Sequence, residues 1–151
     1  MKTLAKVLLL TVLALASCKS HGKKNDVKKP ATKQDKAALK QENTDVDFQA
    51  FVGRLRKAVQ AHDVNTIAAM MEQDFIYSLE PDKRGPGVFQ FWDENGIWPE
   101  IEGIVAERFA KKGELWVAPA QFADESLEYT GYRAGIARVN GSWKFVYFVN
   151  G

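Results

Sequence analysis

Between Lys19 and Val46 the chain reads KSHGKKNDVKKPATKQDKAALKQENTDV, and this stretch limits where a fold can form. It contains no aromatic residue, and Val27, Leu39 and Val46 are its only sizeable aliphatic side chains. Eight lysines face four acids, a net charge of +4. Such a composition cannot bury enough apolar surface to offset the entropy of ordering, so a disordered tether is expected, with a root-mean-square span of about 29 Å. The packed part is therefore expected at residues 47–151, where 11 basic and 15 acidic groups leave a net charge of −4. That length suits one ordinary domain.

The tether follows a distinct N-terminal segment. Lys2 and Lys6 give a positive start, and Val7 to Ala16 are almost entirely apolar. About ten apolar residues fall short of the ~20 that a spanning helix needs. A charged start, a short apolar core and a small-residue exit describe a secretory signal peptide over residues 1–17. Leu15-Ala16-Ser17-Cys18 resembles the lipobox of bacterial lipoproteins, and Cys18 is the only cysteine of the chain. The resemblance implies a thioether-linked diacylglycerol on Cys18, cleavage before it and acylation of the freed amine.

Two or more acyl chains make attachment stable where one is marginal, so residues 18–46 would hold the domain at a membrane. Lys19 stands where an aspartate would resemble an inner-membrane retention signal. In a two-membraned cell, that rule implies the outer membrane, facing the periplasm. The tether lysines either lie on anionic headgroups or a cell-wall polymer, or only keep a spacer extended.

Phe48, Phe51, Val52, Leu55, Ala58 and Val59 recur at the spacing of one buried helical stripe. Asp47 is placed to cap that helix, and Asp63 to cap a second that ends near Gln73. Phe75 to Leu79 alternates as a strand, Val88 to Trp92 suggests a helical turn or two, and Pro99 opens a helix to about Ala110 that Gly113 closes. Leu115 to Phe122 reads as a strand, with Pro119 marking an edge or bulge. Tyr129–Val139 and Ser142–Val149 flank Asn140-Gly141, a strong hairpin signal. The last strand is apolar on both faces, which expects it to be covered twice or to line a cavity. Helices followed by a curved antiparallel sheet make an α+β domain.

Three segments resemble the nuclear transport factor 2-like superfamily: Leu55 to Phe75, Gly87 to Trp92, and Arg138 to Phe145 around the closing hairpin. The resemblance spans residues 47–151 and implies a cone with a cavity between the helices and the concave sheet face. It also implies an acid/base pair in the family's enzymes. His62, Asp74, Tyr77, Glu80, Tyr129, Tyr132 and Arg133 are the polar candidates, and none falls on a catalytic motif of that superfamily. The steroid-isomerising members carry a tyrosine on their first helix, and the corresponding helix has none.

Tyr77, Trp92, Trp116, Tyr132 and Arg133 are the candidate cavity residues. Trp92, Trp98, Trp116 and Trp143, with Phe91 and Phe122, either fill a small core or wall a pocket for a flat apolar ligand. Arg133 lies either on a solvated face or buried, where it would need a carboxylate partner and could grip an anion. A single cysteine excludes an intrachain disulfide and a cysteine-rich metal site. Asp93, Glu94, Glu100 and Glu102 lack the order of a calcium loop, so no metal or cofactor is expected. With 21 basic and 19 acidic groups, the chain is not a dedicated nucleic-acid binder. The expectation is a lipid-anchored envelope protein whose domain binds a small apolar ligand or a protein, with homodimerisation across the sheet. The alternatives are a small-molecule lyase, isomerase or hydrolase of the same fold, and a structural spacer.

Overall fold

The computed structural model describes residues 33–151; the leader, the Leu15–Cys18 motif and residues 19–32 lie outside them. The first element, α1, spans Lys33–Gln60. It begins 14 residues before Asp47, where the sequence pattern places its start, so residues 33–46 are helix rather than extended tether. Ala37-Ala38-Leu39-Lys40-Gln41-Glu42 explains the difference, because these residue types have strong intrinsic helix propensity. The described side chains of this first half are exposed, apart from half-buried Thr44. From Phe48 the whole expected stripe is buried.

Asp63 caps α2, Val64–Met70, accepting the Thr66 N–H at 3.1 Å and its hydroxyl at 2.6 Å. Those bonds, the hydroxyl's first, hold the Asp63 carboxyl below its ordinary pKa. The chain then enters β1, Met71–Ile76, four residues before the expected strand. A 3-10 turn at Gly85–Gly87 leads into α3, Val88–Asn95, and α4, Trp98–Ala106. The guanidinium of Arg56 on α1 donates to the carbonyls of Val105 and Glu107 at 2.7 and 2.8 Å. It thereby satisfies acceptors that a helix end leaves open. Helix α4 stops short of Ala110 because Ala110–Lys112 is a strand, β2, which turns through Gly113 into β3, Leu115–Ala118.

Pro119 ends β3, and Ala120–Ala123 forms a second 3-10 turn. Strands β4, Arg133–Val139, and β5, Ser142–Val149, close the fold around Asn140 and Gly141, whose φ values of 51° and 82° are those of a tight hairpin turn. The sheet order is β1-β5-β4-β3-β2. Its sense is mixed rather than purely antiparallel, because β1 runs parallel to β5. Two helices and three strands separate these neighbours in sequence, so no hairpin fixes their direction. The result is an α+β domain of four helices on one five-stranded sheet. Among the described residues, no helix is long and apolar enough to cross a membrane.

The space between helices and sheet is filled. Phe48 stacks on Trp116 at 4.4 Å and meets Trp143 edge-on at 5.1 Å. A second group joins Phe75 to Phe145 and Trp92 to Phe148. Among the described residues, no polar or charged residue is buried.

Candidate functional site

The open apolar pocket lies on the other face of the sheet. Trp116, Ala118, Ala134, Ile136, Phe145 and Phe148 belong to the core that faces the helices. Side chains alternate across a strand, so Leu115, Val117, Arg133, Gly135, Tyr147 and Val149 point the opposite way. One irregularity sets this arrangement on β5. Gly135 pairs with Tyr147 and Ile136 with Phe145, leaving Val146 as an extra, bulged residue. The bulge puts Phe145 and Phe148 on the core face and sends Tyr147 and Val149 outward.

On that outer face Ile76, Leu79, Leu115, Phe122, Arg133, Tyr147 and Val149 enclose a pocket of about 300 Å³. Strands β1, β3, β4 and β5 supply its floor. Phe122, from the second 3-10 turn, and Leu79, from the loop after β1, close its sides. Gly135 makes room for the Tyr147 ring, since a Cβ there would lie 2.1 Å from Tyr147 Cε1. Phe122 is held by two cations, with Lys112 Nζ and the Arg133 guanidinium carbon each 4.8 Å from its ring centroid. Lys112 also donates to the Phe122 carbonyl at 2.9 Å.

Arg133 and Tyr147 are the only ionisable groups of the pocket wall. Arg133 Nη1 is buried without a hydrogen-bond partner, and among the described residues no carboxylate pairs with this guanidinium. Burial pushes the Tyr147 phenol up to about 12, against the opposing pull of Arg133. Tyr129, whose hydroxyl donates to the Tyr132 carbonyl at 2.8 Å, is also raised, mainly by burial. An unfolded tyrosine titrates near 10, so folded Tyr147 keeps its proton longer. Its contribution to stability is complete below pH 10 and is lost as pH rises toward 12. Titration of phenolate absorbance is expected to show a component near 12 that Tyr147→Phe removes.

Of the residues singled out from the sequence, Arg133 and Phe122 line this pocket. Trp92 is fully buried between helices and sheet. Trp116 sits beneath Phe48, at the edge of a separate groove with Arg138 and Trp143. Tyr132 stacks on Phe148 at 5.3 Å, and Tyr77 packs on Phe91 at 5.2 Å. His62 is exposed at the C-terminal end of α1, stacked on Trp98 and 2.8 Å from a Glu102 oxygen. The residues that sequence reasoning missed are Ile76, Leu79, Leu115, Tyr147 and Val149. The one signal for them was the two-sided apolar pattern of Ser142–Val149.

A larger groove of about 470 Å³ runs between α1 and the closing hairpin, lined partly by Arg54, Arg138 and Lys144. Two of its cations are engaged, Arg138 with Asp47 at 3.6 Å and Lys144 with the Ala69 carbonyl at 3.1 Å, so it is the poorer candidate. Among the described residues, no group of three or more His, Cys, Asp or Glu side chains is placed to hold a metal ion.

No protein-family model matches the chain, and no curated protein is similar to it. Among solved structures, a nuclear transport factor 2-like protein of unknown function from Pseudomonas putida KT2440 is similar to it, at 18% identity and a TM-score of 0.38. The alignment covers 72% of this chain and 85% of that one.

Proposed function

We propose that this is a lipid-anchored envelope protein whose folded part binds a small apolar molecule without transforming it. The observation that supports binding is the open, apolar-walled pocket on the outer sheet face, set against a helix–sheet interior already packed with side chains. Its size is at the lower end for ligand sites, which run from about 300 to 1,000 Å³. Non-catalytic binding follows from the wall chemistry. A guanidinium that stays charged and a phenol that stays protonated offer no general base near neutral pH. The anchor rests on the leader and on Leu15-Ala16-Ser17-Cys18.

Saturation-transfer NMR of the purified protein with 1-octanol tests the pocket, and saturable binding is expected. Cys18→Ala tests the anchor. The variant is expected to leave the membrane fraction and to lack acyl mass; continued membrane fractionation would contradict the proposal. The competing occupant of the outer face is a second copy of the chain. It is favoured by Leu79, which is 61% exposed on the pocket wall. Sedimentation equilibrium separates the two, because a dimer through this face would cover the pocket.

A further inference from the structure

We propose that one face of α1, with the groove it shares with the closing hairpin, is a track for a linear polyanion, a chain of closely spaced phosphate groups. The track is separate from the outer-face pocket. Lys36 and Arg54 are 18 residues apart in one helix. That is five full turns, so the two stand on one line about 27 Å long. Lys33 and Lys40, three before and four after Lys36, lie on the same face. All four cations are exposed. At Arg54 the line becomes one wall of the groove of about 470 Å³, where the hairpin adds Arg138 and Lys144. Acids outnumber bases over residues 47–151, so composition alone would not gather cations there.

The groove cations keep donors to offer. Arg138 lies over the Trp143 ring at 4.9 Å, which holds the guanidinium in place and leaves its N–H edge open. Its contact with Asp47, 3.6 Å between exposed groups, is longer than a hydrogen bond and weak. Lys144 uses one of its three donors on the Ala69 carbonyl. Among the described residues Arg54 makes no side-chain hydrogen bond or ion pair. A tetrahedral phosphate presents oxygens to both walls at once, whereas a planar carboxylate addresses one. A flat bilayer surface meets Lys33, Lys36 and Lys40 but does not enter the groove, and a thin chain does both. Asp47 stands in the same groove and opposes any anion there.

The experiment titrates polyphosphate calorimetrically at several salt concentrations into full-length protein carrying Cys18→Ala, so that no acyl chain takes part. Saturable binding that weakens steeply with salt is expected, as counterion release implies. Arg54→Gln is expected to reduce the slope of log affinity against log salt by about 0.7, and Lys33→Gln, Lys36→Gln and Lys40→Gln together by about 2. Arg108→Gln should leave the slope unchanged, because Arg108 lies beside the other flank of α1, with Gln49 and Arg56. Asp47→Asn should tighten binding, a gain that misfolding cannot produce. Absence of polyphosphate binding would overturn the proposal, and so would an equal loss in Arg108→Gln and Arg54→Gln. Equal affinity for poly-glutamate would overturn the assignment of phosphate. Tighter binding to phosphatidylglycerol vesicles than to polyphosphate would replace the chain with a membrane surface and overturn the track.

Discussion

Replacing Trp92 with alanine is expected to lower stability by about 3–5 kcal/mol, the usual cost of deleting a large buried aromatic side chain. Trp92 is fully buried and meets Phe75, Phe89, Trp98 and Phe148 at ring-centroid distances of 5.3 to 6.2 Å. It therefore joins α3, α4, β1 and β5 through one side chain. Its removal leaves a hole that no single neighbour can fill. Trp92→Phe is expected to cost much less, because it keeps part of the ring packing and also removes an indole N–H that has no acceptor among the described residues. Urea unfolding of the three proteins, with slopes compared as well as midpoints, checks this order.

The second large effect is expected at Gly135. A side chain there collides with Tyr147, three of whose ring atoms lie within 2.6 Å of the position a Cβ would take. Gly135→Ala should force the ring away from β4 and into the pocket, at about 1–3 kcal/mol for overpacking. Combining it with Tyr147→Ala should cost less than the sum of the two changes, by about 1 kcal/mol or more, since removing the ring relieves the clash that the added methyl creates. The same single substitution should weaken octanol binding, because the displaced ring occupies the space a ligand would use. Additive costs in the double variant would mean that the ring does not rest on Gly135.

These two positions show what the sequence could and could not tell. The buried stripe from Phe48 to Val59 was legible because a helix repeats its pattern over three turns. The hairpin at Asn140-Gly141 was legible because only a few residue pairs accept positive φ twice. Residues 33–46 are rich in strong helix formers, so a criterion based on core formation placed the start of α1 too late. Ala110–Lys112 carries no strand signal of its own, and its pairing with β3 makes it a strand.

The site was harder to read for a geometric reason. Strict alternation would set Trp143, Phe145, Tyr147 and Val149 on one face, but the extra residue Val146 divides them between two. Nothing in the local composition marks that bulge. The pocket also draws its walls from four strands and two connections, far apart in sequence. Arg133 was legible as a charge in an apolar strand, but its packing on Phe122 became visible only in three dimensions.

The most direct test of the outer-face pocket is methyl-resolved NMR of the protein titrated with 1-octanol. Saturable shifts are expected at Ile76, Leu79, Leu115 and Val149, with the methyls of Leu55, Ile101 and Ile136 in the helix–sheet interior unmoved. Shifts centred on that interior, or none that saturate, would contradict the assignment of the ligand to this face of the sheet.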